Sequence, residues 1–101
     1  MGDKMISKHI RHYLTVEGKE IFPTFLEKLR KVRPEVPGFV DILIGQEKGD
    51  TEATHLILQF ADKQGLQNWL DNPIHMTLLT ELKPYLYKES EIQHFELQSV
   101  K

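Results

Sequence analysis

The spacing of hydrophobic residues divides the chain into strand-like and helix-like stretches. A strand is indicated by side chains that alternate between apolar and polar, or by a short apolar run bounded by turn residues. Four stretches fit, namely residues 5–17, 39–46, 54–60 and 90–100. A polar turn containing Gly49 and Asp50 joins the second to the third, so this pair is predicted to form a hairpin.

Two segments between these strands repeat apolar residues every three or four positions, which is typical of amphipathic helices. The first covers residues 19–31, where Pro23 has to lie in the first turn because a proline further inside would break the helix. The second follows Asp62, which caps it, and is divided in two at Asn72 and Pro73. Asn72 is a good N-cap for the second half, and Pro73 suits the first helical position.

The elements therefore follow the order strand, helix, strand, strand, broken helix, strand. This βαββαβ order predicts an α+β, ferredoxin-like domain with a four-stranded antiparallel sheet and helices on one face. Residues 39–46 and 54–60 are apolar on both faces, so the face away from the helices also needs a cover. In a chain this short, the expected cover is a second copy of the chain, which predicts a homodimer.

Length and composition restrict the class of protein. The 101 residues form one domain, residues 1–101, and their net charge of −2 with dispersed basic residues does not favour nucleic-acid binding. No apolar run approaches the roughly 20 residues that span a bilayer, and the first residues lack the apolar core of a signal peptide. The sequence has no cysteine, hence no thiolate chemistry. We expect a cytoplasmic protein with neither membrane nor nucleic-acid partners.

Two histidines lie on predicted apolar faces and are the candidate catalytic bases. His12 shares a strand face with Ile10 and Leu14, and His75 lies within about 60° of Leu78 at 100° per helical residue. A neutral imidazole accepts protons near neutral pH, and burial keeps it neutral. Each histidine could instead be a hydrogen-bonded core residue, so both interpretations stay open.

Residues near these histidines could bind a planar ligand. Trp69 could stack on an aromatic ring, or it could be a core or pocket-wall residue. Asn72 or Tyr13 could donate a hydrogen bond to a developing oxyanion. Asn72 is also a helix cap, and Tyr13 lies on the strand face opposite that of His12, where a partner subunit is expected.

No metal site is expected from the histidine pattern. His9 and His12 are three residues apart, which places them on opposite faces of a strand. His94 and Glu96 share a face of the last strand and could join His55 if the strands pair in a favourable register. An ordinary polar strand face explains these three residues more simply.

Several short motifs occur together with the order and spacing of a known family. They are Pro-Gly-Phe at 37–39, FADKQGLQNW at 60–69, Asn-Pro-Ile-His at 72–75 and Leu-Lys-Pro at 82–84. Over nearly its whole length the sequence resembles the antibiotic biosynthesis monooxygenase family, within the dimeric α+β barrel superfamily. The resemblance implies a homodimer whose sheets face each other. It also implies an apolar pocket between sheet and helices, to which Phe25, Leu79 and Leu82 would contribute.

The family's known activities are the oxidation of anthrones and quinols by O₂ without a cofactor, and haem degradation. The resemblance implies that Trp69 is the pocket tryptophan and that the polar residue of the first strand falls near His12. His75 has the spacing of a polar ring residue in the anthrone-oxidising members. The haem-degrading members carry a ligand histidine later on this helix, but residues 78–82 contain none, so haem is disfavoured as a cofactor.

The resemblance thus predicts a cofactor-independent monooxygenase that acts on a quinol- or anthrone-like aromatic with O₂. Two alternatives remain open. One is a non-catalytic dimeric module that binds a small apolar ligand. The other is a haem-binding or haem-degrading protein of the same fold.

Overall fold

The computed structural model describes residues 4–100, which contain the strands and helices in the predicted order. Their bounds are β1 (Met5–Leu14), α1 (Val16–Val32), β2 (Phe39–Gly45), β3 (Thr54–Phe60), α2 (Lys63–Asp71), α3 (Pro73–Leu82) and β4 (Leu86–Leu97). The sheet has the order β2-β3-β1-β4, and all three neighbouring pairs are antiparallel. This arrangement confirms the predicted ferredoxin-like α+β fold. Between residues 4 and 100, no helix has the length and apolarity needed to cross a membrane.

The hydrophobic core lies between one face of the sheet and the helices. The strand register places Ile10 beside Leu56, and Ile6 beside Phe60, so the two central strands present one apolar surface. Phe60 is completely buried and Leu29 of α1 nearly so. Burial of such side chains is the main favourable term in folding.

The opposite face of the sheet carries no helix. On this face Leu43, Phe95 and Leu97 are each 40% or more exposed. Apolar side chains on an uncovered sheet face favour a protein partner. This is the surface on which the sequence predicts a second copy of the chain.

The first helix begins earlier than the sequence pattern predicts. The predicted strand over residues 5–17 ends at Leu14, because the side chain of Thr15 caps α1 by accepting a hydrogen bond from the Gly18 N–H at 3.0 Å. Pro23 therefore lies inside the helix, and its predicted place in the first turn is wrong. The missing N–H of Pro23 leaves the carbonyl of Lys19 without its helical partner. Lys19 is exposed, so water can bond to that carbonyl.

The last strand also begins before the predicted residue 90, at Leu86, and it ends at Leu97. Its pairing with β1 is irregular between Arg11 and Leu14. Ser90 lies in this irregular part of β4. This local distortion brings the Ser90 side chain to His12.

Two glycines bring the start of β2 against the first turn of α2. Gly38 has a φ of 85°, and a Cβ built on Gly65 would lie 2.7 Å from the Gly38 carbonyl oxygen. The same carbonyl accepts a hydrogen bond from the Ala61 N–H at 2.8 Å. As predicted, the Asp62 side chain caps α2, accepting from the Gly65 N–H at 2.8 Å. The close backbone contact fixes the helix that carries Trp69.

Candidate functional site

A cavity of about 200 Å³ lies between the sheet and the helices. Its apolar lining consists of Ile10, Phe25, Leu29, Leu56, Leu58, Trp69, Leu78, Leu79, Leu82, Leu86 and Ile92. Its polar lining consists of Lys8, His12, His75 and Ser90. Leu79 and Ile92 are about half exposed and lie at its mouth. An apolar pocket with a few polar groups is the usual form of a small-molecule site.

β1 places His12 deep in the cavity wall. Its Nδ1 lies 2.8 Å from the Ser90 hydroxyl oxygen, while its Nε2 is buried with no hydrogen-bond partner among residues 4–100. The ring also packs edge-on against Phe22 and Phe25. Burial, helped by the nearby Lys8 cation, lowers the pKa of His12 to about 4. His12 is therefore neutral at physiological pH.

The start of α3 places His75 opposite the tryptophan. Its ring centroid lies 5.0 Å from that of Trp69, in an edge-on arrangement. Nδ1 of His75 is buried and has no hydrogen-bond partner in the described part of the chain. Burial lowers the pKa of His75, and the Lys8 cation lowers it further, while a contact with the Leu70 backbone acts in the opposite direction. His75 is only half-buried, so it loses less basicity than His12.

The structure brings six of the predicted site residues to one cavity. They are His12, His75, Trp69, Phe25, Leu79 and Leu82. Trp69 is only 3% exposed, and its ring packs against those of Phe39 and His75. The indole therefore forms part of the cavity wall.

Asn72 and Tyr13 are not brought to the cavity. The Asn72 side chain caps α3, accepting a hydrogen bond from the Ile74 N–H at 2.9 Å. Tyr13 lies on the other face of the sheet, where its hydroxyl donates to Glu91 and Lys88 lies over its ring. Neither residue is placed to donate to an oxyanion in this cavity.

Two lining residues, Lys8 and Ser90, were not among the sequence candidates. Lys8 shares the helix-facing side of β1 with Ile6 and Ile10, so strand parity contained the signal that it points inward. Burial lowers the pKa of Lys8. Ser90 reaches the cavity only through the irregular pairing of β4, for which the sequence carries no clear signal.

A separate polar cluster occupies the uncovered face of the sheet. Nε2 of His9 lies 3.0 Å from Nδ1 of His55. Nε2 of His55 lies 3.6 Å from an Asp50 carboxylate oxygen, and Glu47 lies close by. Arg11 already pairs with both carboxylates, at 3.2 Å from Asp50 and 3.5 Å from Glu47. We interpret this cluster as a network of ion pairs on the uncovered sheet face.

The histidine pairs considered from the sequence are separated by the strand register. His9 lies on the uncovered face and His12 in the cavity, as predicted from their spacing. His94 pairs with Lys8 and so faces the helix side, whereas His55 pairs with Arg11 on the uncovered face. His55 and His94 therefore cannot share one ion.

Acidification is expected to destabilise the fold through His12. In the unfolded chain His12 takes up a proton near its ordinary pKa of 6.5, whereas the folded residue resists protonation down to about pH 4. The unfolded state thus binds more protons in this window, so stability falls as pH falls, by roughly 3 kcal/mol over the whole window. Lys8 and His75 face His12 in the cavity and are both bases, so neither offers a compensating negative charge.

This expectation is checked by urea unfolding at pH 7, 5.5 and 4.5, comparing wild type with His12→Gln. Glutamine does not titrate, so the variant should lose less stability between pH 7 and 4.5. Identical pH dependence in the two proteins would show that His12 is not a buried neutral group.

Comparisons with known proteins bear on the fold. No protein-family model matches the sequence, and no curated protein matches it either. Among solved structures, the cofactor-independent oxygenase SnoaB from Streptomyces nogalater is 18% identical, with 96% of each chain covered and a TM-score of 0.77. A Caulobacter crescentus CB15 protein, provisionally described as an antibiotic biosynthesis monooxygenase, is 13% identical, with 96% of this chain and 92% of that one covered and a TM-score of 0.84.

A third similar structure is a dimeric ferredoxin-like protein of unknown function from Jannaschia sp. CCS1. It is 15% identical, with 92% of this chain and 99% of that chain covered and a TM-score of 0.79. At these identities the likeness establishes the shared fold. The resemblance inferred from the sequence motifs is thus confirmed at the level of the fold.

Proposed function

We propose that this chain is a homodimeric monooxygenase of the antibiotic biosynthesis monooxygenase family, which oxidises a quinol- or anthrone-like aromatic with O₂ and needs no cofactor. One observation carries the proposal. Two neutral imidazoles, His12 and His75, line one apolar cavity beside Trp69, and each has a ring nitrogen without a partner among the described residues. The shared fold with a cofactor-independent oxygenase supports it.

His75 is the better general base of the two histidines. Its pKa is lowered less than that of His12, because it is less buried. A stronger base takes a proton more readily while still being neutral at physiological pH. Its imidazole lines the cavity and would accept the substrate proton there.

His12 and Ser90 form a hydrogen-bond donor for the developing negative charge. When the Ser90 hydroxyl donates to Nδ1, the proton of the neutral His12 ring resides on Nε2. That N–H lies in an apolar surrounding, where a donor stabilises an oxyanion more strongly than in water. His12 thus polarises the substrate oxygen while His75 removes the proton.

For an anthrone-like substrate the reaction converts a CH₂ group to a ketone. His75 removes one proton from the CH₂ carbon. The carbanion delocalises onto the carbonyl oxygen across the ring, which His12 holds. One electron passes to O₂, and the substrate radical and superoxide combine into a C–O bond, giving a peroxide. The proton on His75 returns to the outer peroxide oxygen. Loss of the second C–H proton forms the C=O bond and breaks the O–O bond, which expels hydroxide. This hydroxide and the lost proton form water, so one O₂ and one CH₂ give one C=O and one water.

The size of the cavity favours a small planar ligand. Its volume of about 200 Å³ lies below the about 300–1,000 Å³ of typical drug-sized pockets. A molecule of two or three fused rings is closer to this volume than haem is. The apolar walls, of which the Trp69 indole forms a part, suit such rings.

The proposed function is tested by oxygen uptake with purified, chelator-treated protein and a panel of naphthoquinols and anthrones. We expect uptake above the autoxidation rate, with one O₂ consumed for each anthrone converted to quinone. Heat-denatured protein at the same concentration is the control. Binding is followed in parallel by quenching of Trp69 fluorescence.

Quenching of Trp69 that saturates, without uptake for any compound of the panel, would overturn the oxygenase and favour a non-catalytic binding module. Oxygen uptake that occurs only after haemin is added would favour the haem-binding or haem-degrading alternative. A shift of the haemin Soret band that His75→Ala abolishes would then identify the axial ligand.

A further inference from the structure

Lys8 places a cation in the wall of the apolar cavity. The residue is only 6% exposed, and its neighbours on the same face of β1 include Ile6 and Ile10. Within residues 4–100, the lysine side chains that form ion pairs are those of Lys4, Lys28 and Lys63, so the Lys8 ammonium group has no such partner. A buried ammonium group is costly unless an anion or hydrogen-bond acceptors compensate it.

The elements around Lys8 supply no opposite charge. His12 on β1 and His75 on α3 share the cavity with it, and His94 of β4 pairs with it in the strand register. All three are bases. Glu96, further along β4, pairs instead with lysines outside the cavity, at 3.9 Å from Lys4 and 3.6 Å from Lys63. Among the described residues that line the cavity, none is acidic.

We propose that the cavity takes an anionic ligand, a planar apolar molecule whose carboxylate or phenolate oxygen pairs with the Lys8 ammonium group. The ligand thus supplies the negative charge that the cavity-lining residues lack. The apolar walls, which include Trp69, bind the rings, and Lys8 fixes the end at which the charge lies. This inference deepens the proposed function, on which it rests for the identification of the cavity as the substrate site.

The two neutral histidines leave Lys8 as the group that selects an anionic ligand over a neutral one. Burial keeps His12 and His75 uncharged at neutral pH, so Lys8 is the cation that the anion meets. Burial also lowers the pKa of Lys8 itself. An anion beside Lys8 reverses that shift, so binding is accompanied by proton uptake wherever Lys8 is partly neutral.

The test compares two probes of almost the same shape, 2-naphthoate and the neutral 2-naphthamide, by titration calorimetry at pH 7. We expect wild type to bind the anion at least about tenfold more tightly, the size of one charge-assisted hydrogen bond. Lys8→Met should lose this preference while binding the amide at least as well. Lys19→Met, which removes an exposed lysine of α1, is the matched control and should bind both probes as wild type does.

Equal binding of the two probes by wild type would overturn the inference, and so would an anion preference that persists in Lys8→Met. The wild-type comparison needs no variant, and Lys8→Gln provides a second one if Lys8→Met fails to fold. A third probe, 2-naphthol, distinguishes the source of the charge. Absorption of bound naphtholate would identify a phenolate ligand, and its absence alongside tight naphthoate binding would identify a carboxylate.

The two proposals fail separately. A preference for the anion without oxygen uptake would leave the Lys8 site standing and remove the oxygenase. Uptake with neutral quinols, together with equal binding of naphthoate and naphthamide, would do the opposite.

Discussion

His75→Gln is expected to lower the rate of oxygen uptake by about 10²–10⁴-fold, the usual contribution of a general base. Glutamine is close to histidine in size and still forms hydrogen bonds, but it cannot accept the substrate proton. Binding, measured by quenching of Trp69 fluorescence, should change little because the cavity walls are retained. The measurement is kcat for the fastest substrate of the panel, with KM determined alongside it.

The pH profile separates a base from a merely structural residue. In wild type the rate should rise with pH through a pKa below 6.5, since only neutral His75 is active and burial lowers its pKa. His75→Gln should lack this step. Met76→Gln is the control, since Met76 is the next residue of α3 but is 60% exposed and does not line the cavity. A His75→Gln variant with the kcat of wild type would eliminate His75 as the base.

Gly65→Ala is expected to destabilise the fold by about 3 kcal/mol, the upper end of the cost of overpacking. Helix propensity alone predicts the opposite sign, because alanine in a helix is favoured over glycine by about 1 kcal/mol. The added Cβ would lie 2.7 Å from the Gly38 carbonyl oxygen and 2.9 Å from its carbon. Both are backbone atoms, so no side-chain rotation relieves the contact. Urea unfolding followed by Trp69 fluorescence measures the change.

Gly45→Ala provides the matched control for this substitution. A Cβ at Gly45 would meet the His55 Cβ at 3.7 Å, which is an ordinary van der Waals contact. We expect a change below about 1 kcal/mol, as for most substitutions that introduce no clash. A Gly65→Ala variant as stable as wild type would show that α2 and the start of β2 do not approach so closely.

The sequence predicts the order of elements and the fold class because both depend on local periodicity. The pattern predicts a strand over residues 54–60, which are the observed bounds of β3, and the side chains of Asp62 and Asn72 predict the helix caps that the structure shows. The observed start of α1 differs from the predicted one. Thr15 lies within the predicted strand over residues 5–17, because local rules disfavour a helix with Pro23 in its interior. Tertiary packing of Gly18 against Tyr85 accompanies the earlier start.

The candidate site was predictable where a residue lies on a clear apolar face. His12 and His75 both satisfy that condition, and both line the cavity. Lys8 satisfies it too, but a lysine is normally assigned to solvent. Ser90 could not be found, because it depends on irregular pairing between β1 and β4, which no single-chain pattern encodes. Tyr13 and Asn72 have suitable chemistry, but the fold uses them elsewhere.

Asn72 ends one helix and begins the next, so a single residue joins the helix of Trp69 to that of His75. Its N–H bonds back to the Trp69 carbonyl at 3.1 Å, while its side chain bonds forward to the Ile74 N–H at 2.9 Å. An insertion or deletion of one residue between this cap and His75 would rotate the histidine by about 100° around α3, away from the indole. Homologous chains with the same cavity should therefore keep the number of residues between the cap and the histidine, even where the residue types differ.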